Sequence, residues 1–254
     1  MILATLFAAT LGLTPFIFGG TDVVAGDPIA NSTVYIQGKF LHASFTCSGA
    51  LVAPDLVMTA GHCLGGGGFA DLVVYFGPNG TDGGIKVIKQ VRKYEVFSQA
   101  EFDRDDVALL RLAQPAPAAY VPAVILDDPA LVRDGADIIL AGFGIDHRTP
   151  EDGNAGVGKL RSVEQKILTG KYGNTEVLID IKERGACSGD SGGPAFVKRN
   201  NQLLLFGIAS RLTARDRMPD VGREARYDCN IDIVYSNILA FAEWFKQAEA
   251  ELRQ

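Results

Sequence analysis

The chain has 254 residues, 47% of them apolar and 21% charged, an ordinary globular composition long enough for one large domain or two small ones. Thirty acidic residues against 24 basic ones leave a net charge of −6, which argues against nucleic acid and anionic membrane as partners. The basic stretch "RLTARDR" (211–217) is a local exception. In chain order, "MILATLFAATLGLTPF" (1–16) comes first. It is too short for a comfortable transmembrane helix and resembles the apolar part of a secretory signal, without the usual positive start. No later stretch is long and apolar enough to span a membrane. Short runs rich in Val, Ile, Leu and Phe follow, among them "TVYIQG", "SGALVAPDLVMTA", "DLVVYFG", "IKVIKQVRKYEVF" and "VALLRL", then "DIILAGFG", "LRSVEQKIL", "EVLIDI", "LLLFGIAS" and "IDIVYS". Gly, Pro, Asn or Asp separates them, the pattern of an all-β barrel or sandwich. "GGGG" (65–68) reads as a loop, and the Pro/Ala-rich "AQPAPAAYVPA" (113–123) as a linker between two β units of about 100 residues each. The end differs: Ile238, Phe241, Trp244 and Phe245 fall at helical spacing among good helix formers.

Four cysteines, Cys47, Cys63, Cys187 and Cys229, contain no C-x-x-C pair, so a zinc or thioredoxin-type reading is weak. Their even number and wide spacing fit two disulfides in an oxidising compartment, with three pairings open. The stretch with most chemical content is "GACSGDSGGP" (185–194), too rich in glycine for an ordinary strand or helix. A serine there, Ser191, is a poor nucleophile unless a base takes its proton, a group orients that base, and donors meet the oxyanion that forms. Of three histidines, His42 and His147 sit in polar, loop-like contexts. His62 follows an apolar run in "MTAGHC", beside Cys63, and is the candidate base. In "FDRDDVALLRL", Asp106 directly precedes an apolar run, where a buried carboxylate needs partners. Asp103 and Asp105 read as solvated loop residues.

Taken together and in this order, "MTAGHC", "DVALLRL" and "GDSGGP" resemble the chymotrypsin/trypsin family of serine endopeptidases, and the resemblance runs from Ile17 to the C-terminal helix. It implies an all-β fold of two six-stranded antiparallel β-barrels and a C-terminal α-helix. The expected divisions are a signal- or propeptide-like segment (1–16), barrels over 17–120 and 121–236, and a helix over 237–254. It also implies Ser191 as nucleophile, His62 as general base and Asp106 as the orienting carboxylate. The Gly189 and Ser191 amides would form the oxyanion hole, where one lost donor costs about 3 kcal/mol of transition-state stabilisation. Glycine at 189 would let the backbone turn its amide toward the oxyanion, while Gly192 and Gly193 would allow close packing behind the serine. The implied disulfides are Cys47–Cys63 and Cys187–Cys229, each contributing roughly 3–4 kcal/mol in the chain-entropy picture.

"IFGGTDV" (17–23) resembles the family's mature N-terminus, whose freed isoleucine amine pairs with the aspartate before the nucleophile, here Asp190. That predicts cleavage between Phe16 and Ile17 by a separate protease and a nearly inactive uncut chain. The pocket departs from trypsin. Gly185, followed by Ala186, stands where an aspartate would pair with a basic side chain, so a Lys or Arg would be buried unpaired. Leu212 and Ile233 replace wall glycines, Ser210 keeps its family type near Asp106, and Tyr235 follows Ile233 by two residues. Arg211 replaces a tryptophan of the substrate groove, with a solvated surface arginine as its plainer reading. The resulting expectation is a secreted or periplasmic endopeptidase with a narrow uncharged pocket for small apolar residues, acting on protein or peptide without metal or cofactor. A silent binding protein with a closed pocket is the alternative. A nucleophile-elbow esterase fits neither "GDSGG" nor the His–Asp–Ser order. A calcium loop near 65–84 would have only the carboxylates of Asp71 and Asp82 to offer.

Overall fold

The computed structural model describes residues 17, 19–40, 43–64, 70–80, 82–94, 105–145, 156–181, 184–213, 229 and 232–254. Phe16, His42, Asp103, His147 and the glycine run at 65–68 lie outside them.

Fourteen strands are described. After β1 (Thr21–Asp22) and a five-residue helix α1 (Pro28–Ser32) come β2 (Thr33–Phe40), β3 (Ala43–Ala53), β4 (Leu56–Thr59), β5 (Ala70–Phe76), β6 (Asp82–Tyr94) and β7 (Asp106–Leu112). These six close into a barrel in the order β2-β3-β4-β7-β6-β5, with β5 pairing back onto β2. Asp71 and Asp82 fall within β5 and β6. β8 (Val124–Ile125), β9 (Asp137–Gly142), β10 (Arg161–Tyr172), β11 (Glu176–Ile179), β12 (Pro194–Arg199), β13 (Gln202–Thr213) and β14 (Asp232–Asn237) build the second sheet. In it β9-β10-β11-β14-β13-β12 is closed by β12 pairing with β9, again six antiparallel strands. β1 adds to β10, and the two-residue β8 pairs parallel with β13. Closure leaves no long open edge in either barrel.

Each barrel has its own apolar filling. Val34, Ile36, Leu51, Val57, Val74 and Leu110 fill the first; Ile138, Leu140, Ile179, Val197, Phe206 and Tyr235 fill the second. β7 is buried on both faces because one face looks into its barrel and the other is covered, in part by the C-terminal helix. The stretch 113–123 holds no strand, but it is not a loose linker. Its backbone is tied to the first barrel by Ala116 N to Pro54 O (2.7 Å) and Ala123 N to Leu51 O (2.8 Å).

The C-terminal segment is helical in two pieces. Asn237 caps a 3₁₀ turn (Ile238–Phe241) through Leu239 N, and α2 (Ala242–Leu252) follows. Ile238 and Phe241 are buried, whereas Trp244 and Phe245 are half-buried. The end of α2 is docked on the first barrel: Arg111 donates to Leu252 O at 2.7 Å, satisfying one of the last-turn carbonyls.

Candidate active site

The sequence-predicted residues meet where the two barrels face each other. β4 runs into a 3₁₀ turn (Gly61–Leu64) that carries His62, and the Cys47–Cys63 disulfide ties that turn to β3. Asp106 opens β7 and holds His62 twice: Oδ1 accepts the His62 backbone amide and Oδ2 faces Nδ1, both at 2.9 Å. From the other barrel Ser210 donates to the same Oδ2 at 2.6 Å, and Ser236 donates to Asp106 O at 3.1 Å. Burial pushes the Asp106 carboxyl up, but the His62 ring, the Ser210 hydroxyl and the His62 amide outweigh it and hold it below its ordinary value. With Oδ2 against Nδ1, the other ring nitrogen is not engaged by Asp106; Cys63 Sγ lies 3.9 Å from His62 Nε2 and 3.7 Å from Ser191 O. Among the described residues no hydrogen bond yet joins the Ser191 hydroxyl to the ring. Such bonds commonly tighten only when substrate binds. Asp105, read from sequence as solvated, is 9% exposed, because the head of β7 enters the contact between the barrels.

Ser191 sits in the turn before β12, and the first barrel grips that turn. Ser48 N donates to Ser191 O (2.8 Å), Ser48 Oγ donates to Gly189 O (3.0 Å), and Phe143 N donates to Ser48 Oγ (2.9 Å). Gly189 has φ +92°, a region costly for side-chain-bearing residues, and Gly192 at φ +79° lies so close to β4 that a Cβ would come within 2.0 Å of Thr59 Oγ1. Among the described residues, neither the Gly189 nor the Ser191 amide meets a protein acceptor.

Asp190 points the other way, into the second barrel. Its Oδ1 accepts Gly144 N and its Oδ2 accepts Cys187 N, both at 2.8 Å. Burial dominates, and the two amides and the Arg161 charge offset it only in part, so the carboxyl is pushed up to about 6. Ile17 is 1% exposed in the second core. The Cys187–Cys229 disulfide closes beside this region, with Cα atoms 5.4 Å apart.

Of the pocket residues, Gly185 lies so near Ile181 that a Cβ would come within 2.3 Å of its Cγ2, and Ala186 is buried. Leu212 and Ile233 are directly paired across β13 and β14, and both pack on the second core. Arg211 is not a solvated surface arginine. Its two Nη atoms pair with both carboxylate oxygens of Glu176, whose side chain is wholly buried. An arginine fork matches a carboxylate in this way, and the pair is drawn inward because Glu176 opens a strand of the barrel wall.

The trypsin family profile matches residues 17–226. The chain belongs to the trypsin family. Over 242 residues it is 26% identical to brachyurin of Leptuca pugilator, an alignment covering 91% of this chain and 97% of that protein. Over 213 residues it is 28% identical to serine protease SP24D of Anopheles gambiae, covering 77% and 73%. The solved structure of HL collagenase, 16% identical, has the same fold, with a TM-score of 0.69 over 92% of this chain and 98% of that one. This trypsin-family protein is therefore a serine endopeptidase.

Four residues that the structure brings around these candidates were not singled out from the sequence: Ser48, Thr59, Arg161 and Glu176. Ser48 and Thr59 carry no signal, each being a small polar residue inside a strand-like run. Arg161 and Glu176 had one. Each is a charged residue at the start of a strand-like run, the same cue that picked out Asp106.

Proposed function

We propose that this protease hydrolyses peptide bonds through an acyl-enzyme on Ser191. The Ser191 Oγ attacks the substrate carbonyl carbon while His62 Nε2 takes its proton. Asp106 keeps the Nδ1–H tautomer in place and stabilises the imidazolium. The Gly189 and Ser191 amides donate to the oxyanion, His62 returns the proton to the leaving amine, and water repeats the cycle on the ester. The observation that carries this reading is the two-point hold of Asp106 on His62, reinforced by Ser210. The two acceptor-free amides at 189 and 191 support the same reading.

The Leu212–Ile233 pair, with Gly185 and Ala186 at the base, favours small uncharged residues before the scissile bond. Cleavage between Phe16 and Ile17 by another protease would create an ammonium to pair with Asp190 and raise activity. All four cysteines are paired, which supports work outside the reducing cytoplasm on protein or peptide substrates. No described helix is long and apolar enough to cross a membrane.

The test is labelling with a fluorophosphonate probe before and after controlled cleavage at Phe16–Ile17, with mass spectrometry locating the adduct and a peptide library reading side-chain preference. We expect the adduct on Ser191, faster after cleavage, and turnover of substrates with Ala or Val at the cleaved position. An adduct elsewhere, or none in either form, would reject the assignment; preference for Phe, Lys or Arg would reject the pocket.

A further inference from the structure

Asp190 is 1% exposed, and the donors to its two oxygens, Gly144 N and Cys187 N, are neutral backbone amides. A buried carboxylate normally needs a cation. In the uncut chain the Ile17 nitrogen is an amide and carries no charge. Among the described residues the cation whose charge reaches Asp190, without touching it, is Arg161 at the head of β10, whose side chain is only 3% exposed. Its Nη1 donates to Gly156 O at 2.8 Å and reaches Gly144 O and Lys159 O at 3.4 Å. Gly144 is thus held from both ends, its carbonyl by Arg161 and its amide by Asp190. The other titratable group facing Asp190 is Tyr235, from β14; burial and the Asp190 charge push its hydroxyl well up, so it stays neutral. Asp22 lies 3.5 Å from Arg161 Nε but is 41% exposed and also pairs with Lys159, so solvent weakens its claim on the guanidinium.

We propose that Arg161 is a built-in countercharge for Asp190, a positioning residue that keeps the turn carrying Gly189 and Ser191 in working shape before the chain is cut. The uncut protease then has a basal activity, rather than being nearly inactive, and cleavage adds a second cation to a site that already has one. This inference rests on the Ser191 reading above.

The experiment compares Ser191 labelling by the fluorophosphonate in uncut and cut wild type, Arg161→Gln and Arg161→Lys. Gln keeps hydrogen-bond donors without charge; Lys keeps the charge without the fork. Uncut wild type should label measurably. Arg161→Gln should lower the uncut rate about 30-fold but the cut rate no more than about 3-fold, because the new ammonium takes over. Arg161→Lys should recover most of the uncut rate. Equal losses in cut and uncut forms, or Lys behaving like Gln, would overturn the inference. So would an uncut wild type that does not label while the cut form does. No Ser191 adduct in either form would overturn both the inference and the assignment of the nucleophile. If Arg161→Gln does not fold, the Arg161→Lys ratio of cut to uncut rates still decides: near wild type supports a role for charge, and a ratio raised ten-fold or more, on the order of 1.4 kcal/mol, opposes it.

Discussion

Asp106, at the head of β7, and Asp190, inside the serine turn, are both buried aspartates, yet their surroundings push their carboxyls in opposite directions. Asp106 faces side chains: an imidazole that can become charged and a serine hydroxyl, both on Oδ2. Asp190 faces two backbone amides and a guanidinium outside direct contact. Burial acts on both; what differs is whether a chargeable partner touches the carboxylate. The contrast separates two roles. One carboxylate is held ionised against an imidazole, as the proposed mechanism requires, while the other is held at a raised value with its cation at a distance.

Replacing the ionised partner should have the largest effect. Asp106→Asn preserves volume but presents an amide to Nδ1, which favours the tautomer with the proton on Nε2 and leaves Ser191 without a base. We expect kcat to fall about 10⁴-fold with binding of substrate little changed, read by steady-state kinetics. A loss under tenfold would mean that Asp106 is only a structural strand-start residue.

The two carboxyls should also write opposite signatures into stability. Asp106 has a lowered folded value, so its contribution is present above its ordinary value of 3.8 and is lost as pH falls through the folded value. Asp190 has a raised one. Its contribution is favourable below 3.8 and is lost as pH rises through about 6. Relative to Asp190→Asn, the uncut wild type should therefore lose about 2 kcal/mol of stability between pH 4 and pH 7 in denaturant titrations. A flat difference across that range would show that Asp190 is not held as described.

A smaller effect should follow from Ser210→Ala, which removes one charge-assisted bond to Asp106 and leaves His62 in place. The Asp106 carboxyl should move up, and kcat/KM should drop about tenfold, with the loss deepest at the acid end of the pH profile. A uniform loss at every pH would point to a disturbed barrel contact instead.

Much of this was legible along the chain. Alternating apolar runs with turn residues between them announce strands, because local periodicity needs only near neighbours, and "GDSGGP" with His62 and Asp106 marks the candidate site through its family resemblance. Arg211 shows the limit. Its neighbours in sequence say nothing of Glu176, 35 residues away, and only strand pairing brings the two together. The same holds for Ser48, which is 141 residues from the glycine it supports. Asp105 and Asp106 are adjacent and alike in sequence, and both prove buried, because the contact between barrels covers the strand head.

By itself, then, the sequence determined the strand-like runs, through residue type and short spacing, and the motifs whose family resemblance implied two barrels and the candidate reactive side chains. Only the tertiary structure decided which oxygen of Asp106 meets the imidazole, that Leu212 stands opposite Ile233, and that Arg161 lies buried toward Asp190. Those facts depend on register and burial, and both are set by how two closed barrels pack rather than by any local stretch of chain.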